Sequence, residues 1–141
     1  GTGHVSFVAA DLEPTARLLC EGLGAREAYD SAGREHSLSR EKFFVLGDAW
    51  LVAMEGAPLA ERSYRHVAFA VDGADLPRYR QRLQALGVEI LPGRGRIEGE
   101  GASLYFHDHD NHLFELHAGT LDERLVAYAF ADAVRVAAGA D

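Results

Sequence analysis

The chain has little of several things, and each shortage narrows its class. Its 141 residues include one cysteine, Cys20, so no disulfide framework can form within the chain. Cys20 lies in a helical stretch and reads as a small core residue. No apolar run approaches the roughly 20 residues of a membrane-spanning helix. The opening residues lack a basic region followed by an apolar one, the pattern of a secretion signal, and the expected location is the cytoplasm. Cations are short too: 14 Lys and Arg against 22 Asp and Glu leave a net charge of −8. With no surplus cations to neutralise phosphates, nucleic acid and anionic membranes are poor partners. An anionic small molecule would need a local basic cluster, for which Arg94, Arg96 and Arg124 are the candidates.

What is present is repetition. GHVSFVAA opens at Gly3 and RHVAFAVD at Arg65, setting His4 and His66 at the same point of two similar runs. Each run leads into a helical stripe, Leu12, Ala16, Leu19 and Leu23 in the first and Leu76, Tyr79, Leu83 and Leu86 in the second. Each stripe ends at a similar turn, Leu23-Gly24-Ala25 and Leu86-Gly87-Val88. Strands are predicted at 3–9, 25–30, 36–40, 43–46 and 49–55, then at 66–71, 88–91, 103–107 and 112–117. The chain therefore reads as a single α+β domain over 1–141. A strand-helix-strands module is used twice in it, at about 3–58 and 65–119. Thr120 and Glu123 have capping-box spacing and open a helical tail over about 120–137.

A histidine repeated with its fold unit is better explained by a ligand role than by packing. The same shift sets Ala53 of the first module opposite Glu115 of the second, which makes Glu115 the third ligand of an asymmetric site. Two imidazoles and one carboxylate suit Mn²⁺, Fe²⁺ or Zn²⁺ and leave coordination positions open. That set names a metal site and not a reaction.

Other residues have two readings. In the hairpin His107-Asp108-His109-Asp110-Asn111-His112, the acids and the amide have turn chemistry, and the three histidines read as turn and surface residues. His117 shares a strand face with Glu115 and so neighbours the metal. The stretch 92–101 holds four glycines with Arg94 and Arg96, and is either a solvated connector or an anion-binding loop. Glu41 is either a surface carboxylate in a charged patch or a general base at the mouth of the metal site. His36 has no partner that sequence identifies.

The paired units resemble the vicinal oxygen chelate superfamily of glyoxalase-like metalloenzymes. Within it, Ser37-Leu38-Ser39-Arg40-Glu41-Lys42-Phe43-Phe44, Glu61-Arg62-Ser63-Tyr64, Glu98-Gly99-Glu100-Gly101 and Asn111-His112-Leu113-Phe114-Glu115-Leu116-His117 are similar to the FosX type of fosfomycin resistance protein, over about Gly3 to Tyr128. The resemblance implies two βαβββ modules forming cupped mixed sheets around Mn²⁺ in a module-swapped homodimer. It also implies hydration of the oxirane ring of fosfomycin. It puts the metal ligands on His4, His66 and Glu115 and the general base on Glu41. The substrate contacts fall on Ser103, Tyr105 and Arg124, with Ser6 and Trp50 in the pocket and Arg94 or Arg96 on the loop. The hairpin Phe106-His107-Asp108-His109-Asp110 departs from the family pattern, with histidines where aromatic or acidic residues are expected. The alternatives are a thiol transferase acting on the same antibiotic, an Fe²⁺ extradiol dioxygenase, and a binding protein that sequesters its ligand unchanged.

Overall fold

The computed structural model describes residues 1–34 and 36–139. The first unit runs β1 (Val5–Ala9), α1 (Leu12–Arg17, continued by a π-helical turn over Leu18–Gly22), β2 (Arg26–Asp30), β3 (Glu41–Leu46) and β4 (Ala49–Glu55). The second runs β5 (His66–Ala70), α2 (Leu76–Ala85), β6 (Ile90–Leu91), β7 (Ala102–His107) and β8 (Leu113–Ala118), after which α3 (Leu121–Ala137) closes the chain. The two four-stranded sheets have equivalent orders, β1-β4-β3-β2 and β5-β8-β7-β6. In each, the first strand pairs parallel with the last and the other pairings are antiparallel. The duplicated sequence has thus produced a duplicated βαβββ topology.

Local chemistry sets the helix ends in the same way twice. Asp11 accepts the Glu13 N–H at the start of α1, and Asp72 accepts the Ala74 N–H in the short turn before α2. At the far ends Gly24 (φ +80°) and Gly87 (φ +78°) take the left-handed conformation that terminates a helix at little cost only for glycine. The Ala25 N–H then reaches back to the Leu19 carbonyl, and the Val88 N–H to the Leu83 carbonyl.

Strand alternation divides each sheet into an apolar and a functional face. Phe7, Ala9, Phe44, Leu51 and Ala53 from the first sheet meet Phe69, Leu104, Phe106, Phe114 and Leu116 from the second. With Leu12, Leu19 and Leu83 from the helices, they form one continuous core. Phe114 is its joint, its ring centroid 5.7 Å from Phe7, 6.0 Å from Phe69 and 5.8 Å from Phe106. The helices approach closely at Gly22, where an added Cβ would lie 3.1 Å from a Leu83 methyl.

Two predicted strands differ. Residues 36–40 form no strand: 37–39 are bends, and Leu38 is 94% exposed. The strand expected over 88–91 is confined to Ile90–Leu91, because the Val88 N–H is already spent on the end of α2.

Candidate metal centre and anion-binding face

The functional face of the first sheet follows from its register. Ser6 and Val8 of β1 stand beside Val52 and Met54 of β4, which stand beside Phe43 and Glu41 of β3, while Val45 faces Trp50. His4, just before β1, continues this face and lies 4.5 Å from the Trp50 ring. Phe43 packs edge-on against Trp50 at 5.4 Å and tilted against Tyr29 at 5.2 Å. Glu41 is held from behind: its N–H donates to Ser31 Oγ and its carbonyl accepts the Ser31 N–H, each at 3.0 Å. Its side chain is buried, at 8% exposure. The neighbouring Lys42 points to the opposite face, where Glu27 takes its ammonium at 2.8 Å. Lys42 therefore does not neutralise Glu41.

On the second sheet, His66, Glu115, His117, Ser103 and Tyr105 share one face. The His66 ring is fixed in orientation and tautomer, for its Nδ1 lies 2.7 Å from the Tyr64 carbonyl. A carbonyl only accepts, so Nδ1 carries the proton. Its Nε2 then faces Glu115 Oε1 at 3.1 Å. The pair is bridged either by a proton on Nε2 or by a metal cation that takes its place. A backbone-oriented imidazole beside a carboxylate is the donor chemistry of a divalent metal site.

Around this pair lies a hydrogen-bonded chain. Arg124 donates to His117 Nε2 at 3.2 Å, which leaves the Nδ1 proton to face Ser103 Oγ at 2.7 Å. Ser103 in turn donates to Glu115 Oε2 at 2.6 Å. Arg96 reaches across the same group, to Ser103 Oγ at 2.8 Å, Tyr105 Oη at 2.9 Å and Glu115 Oε2 at 3.2 Å. Burial favours the protonated acid at Glu115, but the hydroxyls of Ser103 and Tyr105, with His117 and Arg96, outweigh it and hold the carboxyl below its ordinary value. Burial, helped by Arg124 and Arg96, lowers His117 despite Glu115. The Tyr105 phenol is pushed up to about 12, first by burial and then by Tyr64 and Glu115, so it remains a donor.

The expected site residues therefore fall into two groups. His66, Glu115, Ser103, Tyr105 and Arg124 meet on the second sheet, and His4, Ser6, Trp50 and Glu41 share the first. Among the described residues, no three His, Cys, Asp or Glu side chains of one chain converge on a metal position. Of the loop arginines, Arg96 reaches the group, whereas Arg94 is tied to Glu100. His112 pairs with Asp108 at 2.8 Å, and Asp110 accepts the Ala10 N–H, binding the hairpin to the end of β1. His36 and His109 are exposed. Sequence reasoning missed Tyr64, which packs against His66 at 4.9 Å as well as orienting it. It also missed Glu100 and Tyr128. The available signal for Tyr64 was its position two residues before His66.

Residues 1–116 match the model of the Glyoxalase/Bleomycin resistance protein/Dioxygenase superfamily. The chain is 53% identical over 129 residues to the fosfomycin resistance protein FosX of Mesorhizobium japonicum, covering 92% of this chain and 93% of the relative. It is 41% identical over 132 residues to the metallothiol transferase FosB of Bacillus licheniformis, covering 91% and 81%. A mutant of the genomically encoded FosX of Listeria monocytogenes, complexed with Mn(II) and 1S,2S-dihydroxypropylphosphonic acid, superposes with a TM-score of 0.82 at 45% identity, covering 91% of this chain and 97% of that one.

Proposed function

The chain belongs to the glyoxalase/bleomycin resistance protein/dioxygenase superfamily and, within it, to the FosX proteins, and from that premise we propose that it is a Mn²⁺-dependent hydrolase that hydrates fosfomycin to its diol phosphonate. The observation that carries the reading is His66 Nε2 set against the Glu115 carboxylate, 3.1 Å apart and flanked by the cations and hydroxyls that an oxyanion needs. The diol phosphonate bound with Mn(II) in the Listeria relative supports both the metal and the product.

His66 and Glu115 would hold Mn²⁺ together with the His4 of a second copy. When bound, the ion supplies Lewis-acid stabilisation of the oxygen that becomes negative as the ring opens. The working unit is therefore a homodimer in which the first-unit face of one chain covers the second-unit face of the other. Two features support this. Each chain divides its candidate ligands between two sheets, and among the described residues both β1 and β5 end their sheets. We treat residues 1–141 as one domain acting in the cytoplasm, a location that the free Cys20 supports. No helix among the described residues is long and apolar enough to cross a membrane.

The chain's own residues divide the chemistry. Arg124 and Arg96, with the Ser103 and Tyr105 hydroxyls, grip the phosphonate oxygens and fix the ring for in-line attack. Ser6, Trp50 and Phe43 form the opposite wall. Glu41, buried and without a counter-ion among the described residues, takes the proton from the attacking water. The water oxygen bonds to a ring carbon as the carbon–oxygen bond breaks; the freed ring oxygen takes a proton from solvent, and Glu41 returns its own to solvent.

The test is incubation with fosfomycin and Mn²⁺, with and without glutathione, followed by phosphorus NMR. Diol formed equally in both supports hydration. Product only with the thiol would assign the chain to thiol transfer, and fosfomycin recovered intact would make it a binding protein.

A further inference from the structure

Glu100 lies in a glycine-rich loop and yet is among the most buried side chains, at 1% exposure. The backbone around it is specialised: Gly99 (φ +83°) and Gly101 (φ +94°) flank it, and a Cβ on Gly101 would fall 1.9 Å from the Ala118 carbonyl oxygen. The loop is thereby pressed against the end of β8, with Glu100 directed inward.

The carboxylate is saturated there. Oε1 accepts from Arg94, from Arg96 Nη1 at 3.2 Å and from Tyr128 Oη at 2.9 Å, and lies 3.9 Å from Arg124 Nε. Oε2 accepts from Arg94 at 3.3 Å and from the Ile97 N–H at 3.3 Å. Such a carboxylate has no capacity left for a substrate. What it does is hold one end of the Arg96 fork while the other end meets Ser103, Tyr105 and Glu115. Through Tyr128 it also fastens α3, the helix that carries Arg124. Three guanidinium groups face two carboxylates in this cluster, a local excess of positive charge in a chain of net charge −8, and an anion completes it.

We infer that Glu100 is a positioning residue: it orients Arg96, and with it the α3 cation, so that the second-sheet face binds a tetrahedral oxyanion. The neighbouring guanidinium of Arg94 keeps the Glu100 carboxyl at about 2, so it remains charged throughout the working range.

The identity of that anion as a phosphonate rests on the function proposed above, so the test includes a probe that does not. Wild type, Glu100→Gln, Arg96→Ala and the double variant, all loaded with Mn²⁺, are titrated with inorganic phosphate by calorimetry and assayed with fosfomycin. Glu100→Gln keeps the shape and removes the charge. It is expected to weaken phosphate binding and raise KM by about tenfold each, while kcat stays within about threefold. Because Glu100 acts through Arg96, the double variant should be no weaker than the poorer single one. Unchanged phosphate affinity in Glu100→Gln, or losses that add in the double variant, overturns the inference. A wild type that binds phosphate without turning over fosfomycin would defeat the functional reading, while the phosphate cycle still decides on Glu100. Should the glutamine variant not fold, Glu100→Asp carries the test, with charge kept and reach shortened. It should raise KM severalfold at constant kcat, and an unchanged KM overturns the inference.

Discussion

Replacing Glu41 with glutamine separates the proposed proton acceptor from everything else at the site. The side chain keeps its size and its direction on β3, because the backbone bonds to Ser31 do not involve the carboxylate. The change removes a charge that is buried at 8% exposure and has no counter-ion among the described residues, so thermal stability should hold or rise. The proposed phosphonate donors and two of the three proposed metal ligands, His66 and Glu115, lie on the other sheet, and His4 stands before β1 against Trp50, so both sets should be unaffected. The chemical step should lose its proposed general base, worth about 10²–10⁴ in rate, and at about 1.4 kcal/mol per factor of ten the barrier should rise by about 3–6 kcal/mol. Three measurements on one preparation test this: diol formation by phosphorus NMR, Mn²⁺ affinity by titration, and the melting temperature. Rate loss with intact metal affinity and intact melting is the expected pattern. Wild-type diol formation in the variant would refute the role of Glu41, and a matching loss of metal affinity would mean that the residue acts on the metal instead.

Three other perturbations follow from the geometry. Phe114→Ala empties the contact between Phe7, Phe69 and Phe106 and should cost about 3–5 kcal/mol, read as a large fall in melting temperature; a small shift would mean that the units do not share this core. His4→Ala and Glu115→Ala should each abolish turnover, but mixed and reassembled chains should recover about a quarter of it, since half the dimers are mixed and each mixed dimer keeps one intact site; no recovery would argue against ligands shared between chains. Glu100, held at about 2 against an ordinary value of 4.5, contributes stability that is complete above pH 4.5 and lost as the pH falls towards 2. Stability of the wild type should therefore drop more steeply than that of Glu100→Gln across that interval, and identical acid unfolding curves would contradict it.

The features legible in the sequence were those with a period. The repeat of His4 and His66, the helical stripes and the glycines ending them announced two strand-helix-strands units, because each is a local pattern that tertiary packing preserves. The strand expected at 36–40 failed because alternation there had no sheet edge to serve: Arg40 turns back to Asp30 at 2.9 Å, and the segment bends between β2 and β3. The strand at 88–91 was shortened by a backbone bond to Leu83 that no side-chain pattern signals. The same limit applies at the site. Ser103, Tyr105 and Glu115 could be assigned to one face by counting along strands, but the choice between Arg94 and Arg96 turns on where a buried Glu100 lies. That depends on the approach of Gly101 to Ala118, a contact between distant backbones.

Isotope transfer tests the central claim most directly. The protein is incubated with fosfomycin in ¹⁸O-enriched water without any thiol, after chelation and then after addition of Mn²⁺, and the products are weighed by mass spectrometry. The account predicts no reaction in the chelated sample and, with Mn²⁺ restored, a dihydroxypropylphosphonate carrying one ¹⁸O on carbon. Unchanged fosfomycin in the Mn²⁺-loaded sample, or a diol formed equally well under chelation, would contradict it.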